Sequence, residues 1–567
     1  MSDDRAPTGK KIAHLGRDSY NSAEEAWEGF LAAVRSTSII SIDTETISTT
    51  DRRLVGVGIA VKPDEAFYFP WDSPLLPWFV LRDPSITRCF HNAMYDLDVL
   101  WDYGISGTNI EDTAVLSRFE NYFPATLESM AFWVDRQPPT PMGQVMRDHK
   151  VKRVDQLPYA VTANKCLLDA QITLELWNWF VERGLKDVSW EYYRDEMKVI
   201  PMLLDMGRRG LELDHDRVID HVIEYDRLMN YNRAICEGYN FNPASPMQVG
   251  YTLGSMGTWL PLTKRKAGRG GNQLATDKAT LLKYASENPL TQNILDFKHQ
   301  QKMLSTYLVP WLGEDGRATT RFNLDARTAR ISSADYNLTN IPHELRDVFI
   351  GDFIDVDDSQ LELRKLQYLS GDRRMKEVFD RGGSIHEDTA NALYGYRIKW
   401  DKEDIGYRRS KNTNFCIVYG GRVPRIAQTA ECSMAEASRM QYVWSHTYPE
   451  AWYWLESTAE AAVRGEKIET VGGRKMLIQW DEEGVEGVKK RAVNYPIQTS
   501  AGETLRKQMA LAWCPAMVVQ IHDELLFDRR FGHMPWTASE LREMLEYVGP
   551  VRTPVNVIEF DRWGTTG

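Results

Sequence analysis

A chain of 567 residues has room for three or four domains at about 150 residues each. With 43% hydrophobic residues, 26% charged residues, 18 Trp, 25 Tyr and 19 Phe, it is not a disordered chain. Its 80 Asp+Glu against 68 Lys+Arg give a net charge of −12, which excludes a globally basic nucleic-acid coat but leaves open binding on one locally basic face.

In chain order, the N-terminus MSDDRAPTGKKIAHLG lacks an apolar signal core, and no stretch approaches about 18 apolar residues, so no membrane contact is expected. Residues 1–190 alternate strands and helices. SIISIDTET reads as a buried strand ending in acids, and VGVGIAV and AFYFP as the next strands. Residues 164–183 have helical apolar spacing and end near Gly184, so an α/β domain with a mixed sheet is expected. Long helices follow from about Trp190. Segment 238–276 contains no Asp or Glu and carries Lys264, Arg265, Lys266 and Arg269. Residues 297–313 are again acid-free and hold Lys298 and Lys302. Two such stretches in an acidic chain point to a phosphate-backbone contact surface. Further on, DFIDVDDSQLELR starts as a strand and runs into a helix, and 407–421 reads as a helix. MVVQI and LLFD form a hairpin with His522, Asp523 and Glu524 at its tip. The six cysteines (Cys89, Cys166, Cys236, Cys416, Cys432, Cys514) form no CxxC pair, so a disulfide framework is not expected and a reducing, cytoplasmic compartment is the default. Tandem repeats, a Walker phosphate loop, HExxH and a Rossmann fingerprint are absent.

Two constellations of carboxylates carry the chemistry. Asp43 and Glu45, two apart in a strand, leave the same face. Asn92 and Asp96 are placed on one face of a short helix, and Asp169 in the helix containing CLLDAQIT. If Asp43, Glu45, Asp96 and Asp169 converge, their repulsion demands cations, and hard oxygen ligands select Mg²⁺ or Mn²⁺. Asp357 ends an apolar strand and Asp523 sits at the hairpin tip. Between them, Arg408, Lys411, Phe415 and Tyr419 share a helical arc of roughly 80°, with Arg409 outside it. Cations suit a triphosphate and aromatics a stacked base.

IDTET, HNAMYD and the Asp169 helix resemble the three motifs of DnaQ-like 3′–5′ exonucleases, more specifically the proofreading domain of family A DNA polymerases. VDDSQLELR, RRSKNTNFCIVYGG and QIHDELLFD resemble polymerase motifs A, B and C of the same family. FNPASPMQVG, KMLSTYLVPWL, TARISSADYNLTNIP, SIHEDTA and AVNYPIQTSAGE agree in family order. The resemblance implies a mixed α/β chain with an RNase H-like exonuclease domain at 1–190 and a right-hand polymerase domain at 191–567. Within the latter, the thumb is expected at about 191–310, the palm at about 311–365 and 495–567, and the fingers at about 366–494. It implies Asp43, Glu45, Asp96 and Asp169 as exonuclease metal ligands. Asp357 and Asp523 would bind metal for polymerisation with Glu524 beside them, with Mg²⁺ (or Mn²⁺) at two ions per active site. Lys411, Arg408 and His386 would contact the triphosphate, with Gln360 among the nucleotide contacts. Phe415 would stack near the base and sugar, Tyr419 would close over the nascent pair, and Glu362 would exclude a 2′-hydroxyl. Arg330, Gln498, His522 and Asn337 would touch primer–template near its terminus, and Lys302 the duplex backbone.

Several positions depart from the family pattern. Lys165 stands where the third exonuclease motif has Tyr, and Asn164 where its other version has His. Exonuclease activity is expected to survive. Asp358 replaces a Tyr, yet the SQLELR register and the strand alternation favour Asp357 as the ligand. Tyr407 stands at the usual motif B Arg, leaving Arg408 as the substitute. Cys416 and Ala329 replace glycines. Thr499-Ser500-Ala501-Gly502 resembles the bacteriophage branch. With only about 40 residues before Asp43 and no large thumb insert, the expectation is a monomeric phage replicative polymerase in the host cytoplasm. Its partners would be primer–template DNA, dNTPs, a helicase–primase and a single-strand binding protein. The competing readings are a repair or bypass polymerase with a vestigial exonuclease, a nuclease whose polymerase half only binds DNA, and a single-subunit RNA polymerase, which Glu362 and the exonuclease motifs disfavour.

Overall fold

The computed structural model describes residues 13–15, 22–105, 107–121, 124–183, 187–262, 274–285, 288–397, 399–481 and 483–564. Gly184 and the basic run Lys264, Arg265, Lys266 and Arg269 lie outside the described residues. Among the described residues, no helix is long and apolar enough to cross a membrane. All six cysteines are free.

The N-terminal unit is built on a six-stranded sheet. Its strands are β1 (Ala13–Leu15), β2 (Ile39–Thr46), β3 (Leu54–Lys62), β4 (Glu65–Pro70), β5 (Thr87–Phe90) and β6 (Ile110–Asp112), in the order β1-β4-β3-β2-β5-β6. β2 pairs parallel with β5 and β5 with β6, whereas β3 and β4 run antiparallel, so the sheet is mixed as the sequence predicts. Alternation along β2 sends Ile40 and Ile42 into a core with Phe30, Phe67 and Phe69. Ser41, Asp43 and Glu45 share the opposite face. That face is covered by the helix Tyr159–Arg183, for Ser41 Oγ donates to the Ala170 carbonyl at 2.5 Å. The helix approaches β3 closely: a Cβ on Gly58, the register partner of Asp43, would lie 2.7 Å from the Cys166 carbonyl oxygen. Gly58 therefore sets how near Asp169 comes to the strand.

The middle of the chain is helical. Helices His215–Glu237 and Leu290–Met303 pack together, with Asn232 buried between them and bonded to Gln300 and Asn293. Lys298 Nζ donates to the Thr276 carbonyl at 2.6 Å, which ties that cation into the fold; Lys302 is exposed.

The last part is an antiparallel sheet of β7 (Ile350–Asp358), β8 (Met517–Ile521), β9 (Glu524–Asp528) and β10 (Val555–Arg562), in the order β8-β9-β7-β10. β8 and β9 form the expected hairpin around His522-Asp523, with His522 at φ +49°. Between β7 and β8 the chain forms a helical subunit whose core includes Trp444, Tyr448, Leu455 and Ile417. The helix Ile405–Val418 belongs to it. Asp404 caps its start, and Tyr419 stands one residue past its end, followed by Gly420 at φ +75°.

Candidate functional site: two carboxylate clusters

The first cluster is mounted on β2. Ligand atoms of Asp43, Glu45 and Cys166 lie within 4.8 Å of one another. Asp96 joins from the helix Ala93–Trp101, where its Oδ1 accepts from the Thr44 backbone N–H at 2.9 Å and the Thr44 hydroxyl at 2.6 Å. Asp169 joins from the long helix and is ion-paired to Lys165. All four predicted carboxylates thus converge. Asn92 does not share their helix: it caps its start in a left-handed conformation, φ +80°, because Asp112 accepts the Asn92 and Ala93 N–H groups and pins the turn. Asp112 also caps the helix Thr113–Phe119, so it orients two elements at once.

Burial is the first cause of the raised carboxyl pKa values in this cluster. It pushes Glu45 up to about 8, Asp96 to about 7 and Asp169 to about 6, and Asp43 well above the usual range, with the neighbouring carboxylates adding to the effect on Asp43. Asp169 Oδ1 is buried and has no hydrogen-bond partner. Clustered buried carboxylates with an orphaned oxygen fit a hard divalent cation such as Mg²⁺ or Mn²⁺. Cys166 does not belong to that donor set, because its thiol is driven well above its ordinary pKa by burial and donates to the Asp43 carbonyl.

The second cluster lies on β7 and the hairpin. Burial alternates along β7: Ile354, Val356 and Asp358 point into the core, and Asp355 and Asp357 are only half-buried on the other face. Asp357 is the register partner of both Glu524 on β9 and Asn556 on β10. Asp523 follows in the turn, its carbonyl accepting from the Asp358 N–H at 3.1 Å. Asp358 faces away and accepts from Gln508 at 3.0 Å, which separates it from Asp357 as the alternation predicts. Burial raises the pKa of Asp357 and Glu524, and that of Asp355 and Asp523 to about 7. Arg346, 3.4 Å from Glu524 and stacked on Trp563, counters part of this charge. Asp355 Oδ1 has no hydrogen-bond partner, so this donor set also suits a hard cation.

Facing the sheet, a cleft of about 1510 Å³ is lined by Gln360, His386, Lys402, Tyr407 and Asn556 among others. Lys402 and Lys411 both lie close enough to Asp357 to favour its ionised form. Arg408 and Lys411 are both exposed and neither lines this cleft, whereas Tyr407 and Lys402 do. His386 is buried beside Phe415, at 5.3 Å between ring centres, and burial lowers its pKa to about 3. It is a neutral imidazole at pH 7, so it can offer a hydrogen bond but not a charge. Asn414 bonds its Nδ1 at 3.0 Å and accepts from Trp444 and Thr389. Phe415 and Tyr419 stand 6.1 Å apart, half-buried.

A second hollow gathers Arg330, Glu362, Gln498, His522 and Asp523. Arg330 is ion-paired to Glu362 at 2.6 Å and lies 3.4 Å from the Tyr419 hydroxyl. Two predicted contacts are occupied by their own surroundings. Gln360 bonds the Ile385 N–H, and Asn337 Oδ1 accepts from Ser333, Thr339 and Asn340 within its turn. Asp112, Arg346, Lys402, Asp355 and Asn414 escaped the sequence reading. For Asp355 the signal was present, as it sits two residues before Asp357 on the same strand face.

The chain matches the family model for DNA polymerase family A over residues 223–564, and that for a 3′-5′ exonuclease over residues 20–183. DNA polymerase I of Chloroflexus aurantiacus is 26% identical over 576 residues, covering 91% of this chain and 60% of its own. DNA polymerase I of Rhizobium leguminosarum is 27% identical over 573 residues, covering 88% and 56%. The thermostable DNA polymerase I of Thermus aquaticus is 28% identical over 423 residues, covering 69% and 50%. The chain therefore spans 50% to 60% of the length of these relatives. A solved structure of the POL domain of Pol1 from M. smegmatis, in complex with DNA primer-template and dNTP, shares the fold. It has a TM-score of 0.78 at 21% identity, covering 94% of this chain and 97% of that one.

Proposed function

The chain belongs to DNA polymerase family A, with an N-terminal 3′–5′ exonuclease domain, and from that premise we propose that it extends primer 3′-hydroxyls with dNTPs and proofreads with residues 1–190. The observation that carries this reading is the meeting of Asp357 with Glu524 across the sheet and with Asp523 in the adjoining turn, within reach of the charges of Lys402 and Lys411 from the helical subunit. In this reading the middle helices are the thumb, the second sheet is the palm and the helical subunit is the fingers.

Asp357 and Asp523, with Glu524 beside them, would hold two divalent cations. When bound, these lower the pKa of the primer hydroxyl and neutralise the departing pyrophosphate. The protein's own groups do the rest. Lys411 and Lys402 bind the triphosphate from the fingers side, Lys402 supplying charge where Tyr407 cannot. His386 donates a hydrogen bond from a ring held by Asn414. Glu362, fixed by Arg330 and Tyr419, closes the space a 2′-hydroxyl would need. Arg330 keeps further N–H groups for the primer terminus, where Gln498 and His522 also line the hollow. Asp43, Glu45, Asp96 and Asp169 would hold the divalent cations that activate water for phosphodiester hydrolysis.

A bacteriophage replicative role, with a helicase–primase and a single-strand binding protein as partners, is supported by Thr499–Gly502; the relatives named above are bacterial. A repair or bypass polymerase with a weak exonuclease is the second reading, favoured by the Lys165–Asp169 ion pair. Primer extension on a matched template with Mg²⁺ tests the polymerase assignment. Full activity is expected in the parent and none in Asp357→Ala. Extension by Asp357→Ala would overturn it.

A further inference from the structure

Lys165 stands one helical turn before Asp169, where the family resemblance places a tyrosine. Its ammonium is ion-paired to Asp169 Oδ2. A lysine four residues before an acid is also the ordinary spacing of a solvent-facing helical pair. This pair is not one of those, because the two side chains are only 11% and 10% exposed. The buried lysine is also close enough for its charge to act on Asp43 and Glu45. The opposite oxygen of Asp169 is left buried and without a hydrogen-bond partner.

The geometry points to Lys165 as a resident counter-cation that replaces one of the two divalent ions, leaving the N-terminal cluster to bind a single Mg²⁺ or Mn²⁺. The physical basis is charge balance. Four crowded carboxyls need positive charge to ionise together, and one unit of it is already supplied covalently, on Asp169 itself. The remaining ligands are Asp43, Glu45 and the free oxygen of Asp169, with Asp96 held by Thr44. An ammonium has three donors and no acceptor, so Lys165 cannot accept a hydrogen bond from an attacking water as a tyrosine hydroxyl can. Lys165 is accordingly a positioning residue that sets metal count and slows hydrolysis. The effect on hydrolysis rests on the proofreading assignment; the ion count does not.

The test is Mn²⁺ titration of the full chain, followed by electron paramagnetic resonance, in a background carrying Asp357→Asn and Asp523→Asn to silence the second cluster. One Mn²⁺ is expected, lost in Asp43→Ala. Lys165→Tyr and Lys165→Met should each bind two, with a spin-coupled signal, and Lys165→Arg should keep one. In parallel, the rise in melting temperature on replacing EDTA by Mn²⁺ should be larger for Lys165→Met than for the parent. If Lys165→Met folds only with Mn²⁺ present, that too is the expected dependence. Two ions in the parent, or a single ion in both Lys165→Tyr and Lys165→Met, would overturn the proposal. Single-strand digestion is followed alongside. If no variant digests DNA, the proofreading assignment fails while the ion counts still decide the role of Lys165.

Discussion

The two carboxylate clusters solve the same electrostatic problem differently. On β2, the countercharge is internal: Lys165 belongs to the helix that carries Asp169 and is buried with it. On β7, Arg346 and Arg330 offset Asp355, Glu524 and Asp523 from close by, and Asp357 alone draws on Lys402 and Lys411 of the helical subunit. The first cluster is assembled within one domain and is permanently neutralised in part. The second takes part of its countercharge from a separate helical subunit. A self-contained site suits a reaction that must wait for a frayed end. A site that draws on a separate subunit suits one whose substrate must first be selected.

Substitutions that break the contrast should act on one activity only. Lys411→Ala is expected to lower kcat for extension by about 10²–10³-fold, on the order of 3–4 kcal/mol of transition-state stabilisation, with single-strand digestion unchanged. Parallel digestion assays check this, and a matching loss of digestion would dissolve the separation. Lys402→Ala should raise KM for dNTP about tenfold while Arg408→Ala changes it by less than about twofold, as steady-state kinetics would read. The reverse order would favour Arg408 over Lys402 as the triphosphate ligand.

The pH dependence of the metal-free chain sharpens the comparison further. Glu45 rises from its ordinary 4.5 to about 8, Asp96 from 3.8 to about 7 and Asp169 from 3.8 to about 6. A carboxyl whose folded pKa is raised binds its proton more tightly in the folded state, so ionising it costs stability. That cost is absent below about pH 4 and grows until about pH 8. The melting temperature in EDTA should therefore fall from pH 5 to pH 8 relative to that in Mg²⁺. A gap independent of pH would contradict the burial of these groups. The smallest effect concerns Ala329, beside Arg330, which sits at φ +54°. Ala329→Gly should stabilise the chain by about 0.5 kcal/mol, relief of left-handed strain outweighing added unfolded-state entropy, as denaturant unfolding would show.

What was legible in the sequence follows from what alternation and helical spacing encode. Asp43, Glu45 and Asp357 could be read because acids at the ends of apolar strands contradict burial. Asp358 could be separated from Asp357 because adjacent strand residues face opposite ways. The substitution at Ala329 was visible as a missing glycine, and its positive φ is the physical content of that departure. Partners supplied by remote segments were not legible. Arg346 reaches Glu524 from 178 positions away, and Lys402 reaches Asp357 only through the fold. Nor were the contacts that hold polar side chains within the fold. Asn337 and Gln360 have the chemistry of ligand contacts, yet the Asn337 oxygen accepts from the Ser333, Thr339 and Asn340 side chains and the Gln360 oxygen from the Ile385 N–H, 25 positions away. Asn92 was read into a helix whose start is fixed by Asp112, a capping contact across 20 positions.

Under the proposed function, one chain carries two separable carboxylate sites of opposite effect on a primer end. A primer with a mismatched 3′ terminus, incubated with template, dNTPs and Mg²⁺, tests it in one reaction. The parent should shorten and then extend the primer, Asp357→Ala should only shorten it, and Asp43→Ala should leave it unshortened and mostly unextended. Shortening by Asp43→Ala, or extension by Asp357→Ala, would contradict the account.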